Sequence, residues 1–110
     1  MKTKELGNLG ESFACEYLLM EGYKIVCRNY RCRYGEMDII ACKNKYLYFV
    51  EIKTRRSIRF GTPAEAVGRE KQMHMKRVAA DFLRQHDYRG YSVEFKVIEI
   101  LINEIDNVII

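Results

Sequence analysis

The sequence predicts an α/β protein, a mixed sheet covered by helices on both faces, in the order α-β-β-β-α-β with a further short strand at the end. Three observations carry that prediction. Residues 6–21 show an apolar pattern of helical period, the adjoining runs 36–42 and 46–53 are apolar on both faces, and a capping sequence at 62–65 opens a second helix. Strands that are apolar on both faces must be covered on both sides.

In the first helix, Leu6, Leu9, Phe13, Tyr17 and Met20 recur at three- and four-residue steps, which defines one helical face. Gly10, Ala14 and Leu18 form a neighbouring stripe whose two small residues suit close packing on a sheet. Gly22 is placed to stop the helix, and residues 23–30 read as a first strand. MDIIAC and YLYFVEIK are separated by Lys43-Asn44-Lys45, the spacing of a hairpin. With Asn44 and Lys45 as a two-residue turn, Lys43 pairs with Tyr46, Asp38 falls opposite Glu51, and Glu36 falls opposite Lys53. Regular alternation then puts these four charged residues on one side of the sheet. An arginine-rich stretch, KTRRSIRFG, leads to Thr62 as N-cap, Pro63 at the first helical position and Glu65 closing a capping box. That helix is expected to run to about Gln85, with Val67, Met75, Val78, Phe82 and Leu83 facing the core. Residues 93–102 read as a strand, and 108–110 as a short last one.

The chain has 110 residues, of which 48% are hydrophobic and 31% charged. This fits one folded domain over 1–110 and excludes a disordered polymer. The N-terminus lacks the apolar stretch of a secretory leader, and no apolar run is long enough to span a bilayer. A cytoplasmic protein without a membrane partner is therefore expected. Cys15, Cys27, Cys32 and Cys42 contain no C-x-x-C pair, and His74 and His86 lie far from them. The spacing argues against structural zinc and for reduced thiols. Residues 1–93 hold 18 Lys and Arg against 11 Asp and Glu, whereas 94–110 hold one Lys against four acids. A basic body suits a polyanionic partner, nucleic acid above all.

The charges at the strand ends bear most directly on function. Asp38 opposite Glu51 sets two like charges at ~4.5–5.5 Å between Cβ atoms, where they repel. A divalent cation removes the conflict, and two carboxylates at that separation suit Mg²⁺ with several waters. Lys53 lies two residues beyond Glu51 on the same face, where it can meet an attacking water or a phosphate. The structural alternative pairs Glu36 with Lys53 and leaves Asp38 and Glu51 solvated at the sheet edge.

GNLGESFACEYLLMEGY, NYRCRYGEMDII, YFVEIKTR, and FGTPAEAV with the following Lys71 together resemble the YraN family of predicted endonucleases over nearly the whole chain. The GE-x-D…E-x-K core is similar to the PD-(D/E)XK motif, and the arrangement resembles that of archaeal Holliday-junction resolvases. The resemblance implies a restriction-endonuclease-like three-layer sandwich and metal-dependent hydrolysis of phosphodiester bonds in DNA, with branched DNA as one candidate substrate. It implies Asp38 and Glu51 as ligands of Mg²⁺ or Mn²⁺, the backbone carbonyl of Ile52 as a third, and Lys53 as the catalytic lysine. It assigns Glu11 to the acidic pocket and Glu36 to orienting Lys53. Met37 stands where the motif has proline, and the family's R-F-D near the last strand is here Glu94-Phe95-Lys96, with both charges reversed.

The basic and aromatic residues flank the same two strands. Arg28, Tyr30, Arg31, Arg33 and Tyr34 precede Asp38, while Arg55, Arg56 and Arg59 follow Lys53. Arginines contact phosphates and tyrosines stack on unpaired bases, so these residues are candidates to hold DNA. Lys71 joins them through the resemblance, its alternative being a lysine whose stem lies along an apolar stripe. Three readings follow in order: a nuclease, a non-catalytic nucleic-acid- or partner-binding module that keeps the fold, and a structural ion-pair cluster. The apolar C-terminal residues also offer a strand edge for a homodimer.

Overall fold

A computed structural model describes residues 2–56 and 68–109. It contains α1 (Thr3–Met20), β1 (Lys24–Cys32), β2 (Gly35–Lys43), β3 (Tyr46–Arg56), α2 (Arg69–Gln85) and β4 (Ser92–Ile102). The strands form one sheet in the order β1-β2-β3-β4. The first three are antiparallel neighbours, and β4 joins β3 in parallel. The sheet is mixed, and the order α-β-β-β-α-β is as expected. Residues 103–109 carry no strand, so the short last strand does not form within them.

The β2–β3 hairpin follows from its turn. Asn44 (φ 50°) and Lys45 (φ 66°) both take left-handed backbone, the requirement of a tight two-residue hairpin loop. Lys43 therefore pairs with Tyr46, and the ladder continues unbroken to Ile39 against Val50. Strand residues alternate between two apolar clusters. Ile39, Ala41 and Val50 pack with Ala14, Cys15 and Leu18 of α1. Ile40, Leu47 and Phe49 pack with Met75, Val78, Ala79 and Phe82 of α2. The helices thus cover opposite faces, giving three layers.

Of the sequence expectations about the helices, the packing of the small-residue stripe of α1 on the sheet holds, and the start of α2 is corrected. α1 buries Leu6, Gly10, Ala14, Cys15 and Leu18, while Phe13, Tyr17 and Met20 are 53%, 54% and 83% exposed. The small-residue stripe faces the sheet because it lets the helix axis come close, and this turns the bulky stripe outward. The second helix does not run through from residue 62. Gly68 is extended (φ −66°, ψ 162°) and caps a helix that starts at Arg69. Thr62, Pro63, Glu65 and Val67 lie outside the described residues. Met75, Val78 and Phe82 are buried as expected, and Leu83 packs half-buried beside them.

One polar tie fixes α2 against β1. The Tyr30 hydroxyl donates to Asp81 Oδ2 while its ring meets Phe82 edge-on at 5.3 Å between centroids. The hydrogen bond to Asp81 pushes the phenol pKa up to about 12. Tyr30→Phe should lower stability by about 1–2 kcal/mol, because the bond is to a charged acceptor. A thermal melt reads this as a Tm drop of several degrees, and an unchanged Tm would show that the tie contributes nothing.

Candidate active site at the fork between β2 and β3

The acidic residues sit where the sheet stops being regular. The β2–β3 ladder ends at Ile39 and Val50, one position short of Asp38 and Glu51. Beyond that point the Asp38 side chain spans the gap, its Oδ2 accepting from the Ile52 backbone N–H at 2.7 Å. A carboxylate has taken the place of a backbone acceptor at the mouth of the fork.

The expectation that Glu36, Asp38, Glu51 and Lys53 all project to one side is corrected by a step in β2. Met37 and Ile40 are three residues apart, yet both pack under α2, so alternation fails between them. The facing strand shows the same offset. Cys27 and Tyr30 both border the α2 cluster, and the intervening Asn29 has φ 53°. Asn29 and Asp38 are the residues left between the pairs Arg28–Ile39 and Tyr30–Met37. At this step Asp38 turns toward α1, lining a groove of about 280 Å³ with Glu11, Asn8, Ile52 and Thr54. Glu51 stays on the α2 side, where Lys71 Nζ meets its Oε1 at 2.6 Å. Lys53 follows Glu51 along a regular β3–β4 ladder and so shares its side. The Glu36 carboxylate takes the Arg31 guanidinium at 3.1 Å on an exposed surface, since Arg31 is its direct partner across β1–β2.

The electrostatics reflect crowded negative charge. Burial pushes the Asp38 carboxyl above its usual range, with the Glu51 and Glu36 charges adding to the rise and the Ile52 N–H opposing it. Glu11 is also raised, by burial first and then by Asp38. Among the described residues, Glu51 Oε2 is buried and has no hydrogen-bond partner. A buried carboxylate oxygen left unpartnered is costly. Among the described residues, no three or more Asp, Glu, His or Cys side chains converge to hold a metal ion. Asp38 reaches the fork from the α1 side and Glu51 from the α2 side, so a cation seated there would lie between the two carboxylates and complete its shell with backbone and water, as a hard cation does.

Asp38 gives a pH-dependent prediction. Below its unfolded value both states are protonated and the group is neutral to stability. As pH rises, ionisation is harder in the fold than in the unfolded chain, so the folded state loses ground until the raised folded value is passed. Asp38→Asn keeps an acceptor for Ile52 and removes this cost. It should be more stable than the parent at neutral pH, with the gap closing in acid. Denaturant midpoints at the two pH values measure it, and a less stable variant at neutral pH would contradict the assignment.

The remaining candidates are dispersed. Arg28 lies near enough to Glu11 to oppose the rise in its pKa. Tyr30 is committed to Asp81 and is not brought to the fork. Arg33 donates to the Tyr34 hydroxyl at 2.6 Å and lies over its ring at 4.8 Å. Arg55 pairs with Glu99 at 3.0 Å, Arg56 is exposed at the end of β3, and Arg59 lies outside the described residues. The Lys71–Glu51 contact is the feature that a pattern search on single strands misses, because it joins α2 to β3.

Fold and site together define a small α/β protein, a four-strand mixed sheet between two helices with an acidic fork at one end. The model of the uncharacterised protein family UPF0102 matches residues 10–100. The chain is 45% identical over 109 residues to a UPF0102 protein of Caldicellulosiruptor bescii, covering 98% of this chain and 92% of that one. It is 41% identical over 103 residues to a UPF0102 protein of Dictyoglomus turgidum (94% and 87% covered), and 45% identical over 97 residues to one of Rhodococcus opacus (88% and 82% covered). The chain belongs to family UPF0102. Among the described residues no helix is long and apolar enough to cross a membrane.

Proposed function

We propose that this protein is a metal-dependent endonuclease of the restriction-endonuclease-like class, hydrolysing phosphodiester bonds in DNA, with branched DNA among its substrates. The observation that carries the reading is Oε2 of Glu51, buried and without a partner among the described residues, at the fork that Asp38 also occupies. Asp38, Glu51 and the Ile52 carbonyl would hold Mg²⁺ or Mn²⁺. When bound, such an ion supplies Lewis-acid polarisation of a phosphoryl oxygen and makes water more acidic. Lys53, on the Glu51 side of β3, offers an ammonium to the charge that grows on the phosphate. Glu11 adds a carboxyl with a raised pKa to the Asp38 groove, where it can accept a hydrogen bond from water. Arg55, Arg56 and Lys71 bring positive charge to the approaches of the fork and would engage the backbone phosphates.

One observation favours the alternative of a binding module without catalysis. Lys71 already neutralises Glu51 through a 2.6 Å ion pair. The two readings separate when the protein is incubated with single-stranded, duplex and four-way-junction DNA in Mg²⁺, Mn²⁺ or EDTA. The nuclease cuts at least one substrate only when metal is present, and the substrate cut fastest identifies the preferred structure. Salt-dependent binding that ignores EDTA, with no cuts, would establish the module instead.

A further inference from the structure

β4 is an eleven-residue strand whose only strand neighbour among the described residues is β3. Long apolar edges invite pairing with another strand, and proteins normally shorten, charge or cover them. This one keeps Val93, Phe95, Val97 and Leu101 more than a third exposed. The exposed α1 stripe lies alongside, with Phe13 and Tyr17 lining a groove of about 490 Å³ together with Ile98 and Ile100. Apolar surface therefore flanks the edge on both faces, from Phe95, which packs on Phe49 on the α2 side, and from Phe13 and Tyr17 on the α1 side.

We infer that β4 pairs antiparallel with β4 of a second copy, around a two-fold axis at Phe95 that joins two four-strand sheets into one of eight. The charge pattern of the strand selects this occupant and this register. A two-fold axis normal to the sheet keeps each face on its own side, so opposed residues must share a face. Lys96 lies over the Tyr23 and Tyr48 rings at 5.5 and 5.1 Å, which puts it on the α1 side. Glu94, two residues earlier on a regular ladder, is on that side too. With the axis at Phe95, Glu94 of each copy opposes Lys96 of the other, Val93 opposes Val97, and Phe95 opposes itself on the α2 side. An axis at Glu94, Lys96 or Glu99 would set a charge against its own copy. An axis at Val97 would put Phe95 against Glu99, and one at Ile98 would put Val97 against Glu99. Phe95 is the only centre from Glu94 to Glu99 that pairs opposite charges.

The helices fit the same arrangement. α1 packs chiefly over β3, so its two copies lie on one side, separated by three strand spacings, roughly 14 Å. Direct helix contact needs about 8–10 Å, and the remaining gap is what the outward-facing Phe13 and Tyr17 rings would fill. The inference stands whether or not the chain cuts DNA.

Sedimentation equilibrium of the full chain across the micromolar range tests it. The parent should be dimeric. Glu94→Lys sets lysine against Lys96 twice per dimer and should weaken association about ten-fold or more, while E94K/K96E restores the opposition and recovers most of the affinity. Because Glu94 is exposed, the fold itself is not at stake. Phe95→Cys adds an independent readout. Cα atoms directly opposed across an antiparallel pair lie ~4.5–5.5 Å apart, within disulfide range, so mild oxidation should join the introduced thiol of one chain to that of the other, as peptide mapping would show. A monomeric parent, a dimer indifferent to Glu94→Lys, or a dimer whose Phe95→Cys variant gives no such linked peptide would overturn the proposal.

Discussion

Glu51→Gln should abolish metal-dependent cleavage, by at least about 1,000-fold, while leaving the fold and DNA binding in place. Glutamine keeps the shape of the side chain and an acceptor for Lys71, which reaches Glu51 Oε1 at 2.6 Å. It removes the negative charge of a carboxylate whose other oxygen is buried without a partner among the described residues. If that oxygen is reserved for a cation, its loss forfeits several kcal/mol of transition-state stabilisation, and each 1.4 kcal/mol or so is a factor of ten in rate. Lys71 is about half exposed, so water accommodates its charge and Tm should shift by no more than a few degrees. Junction or duplex binding, read by fluorescence anisotropy, should stay within about three-fold, because phosphate contacts dominate affinity. Full cleavage by this variant would remove Glu51 from the mechanism.

The largest effect on stability is expected from a glycine one residue before Glu11. A Cβ added at Gly10 would meet Thr54 Oγ1 at 1.8 Å and Thr54 Cβ at 2.9 Å. No rotation of Thr54 relieves both contacts, so α1 must lift from β3. Gly10→Ala should cost about 2–3 kcal/mol, the upper range for overpacking, although alanine is the better helix former. Gly7 provides the control. It lies in the same helix, and a Cβ there meets nothing within 4 Å. Gly7→Ala should therefore stabilise by about 0.5–1 kcal/mol through helix propensity alone. Opposite signs for the two substitutions in one urea titration series would show that α1 is held by close approach. Gly10→Ala should also slow cleavage, because Glu11 moves with the helix.

The hairpin register was legible because Asn44 and Lys45 form a two-residue turn, and such a turn leaves no freedom in the pairing. The two covered faces were legible because Ile39 and Ile40 are adjacent and both apolar. The buried side of α1 was legible in Gly10 and Ala14, whose small side chains permit close contact with the sheet, although Phe13 and Tyr17 are the more hydrophobic stripe. The step at Asp38 was hidden because alternation assumes a regular ladder, and only Asn29, tolerant of positive φ, hinted otherwise. The start of α2 moved to Arg69 because capping chemistry at Thr62 says where a helix can begin and nothing about the extended backbone at Gly68. The bonds Lys71–Glu51 and Tyr30–Asp81 link separate elements, and no local pattern announces them.

In the proposed mechanism Asp38 and Glu51 together hold the ion on which cleavage depends. Calorimetric titration of Mn²⁺ into the full chain, into Asp38→Asn and into Glu51→Gln tests it most directly, with junction cleavage measured on the same samples. The parent should bind Mn²⁺ saturably, both variants should lose that binding, and cleavage should rise with occupancy and vanish with it. Saturable binding that survives in both variants, or a parent that cuts DNA equally well in EDTA, would contradict it.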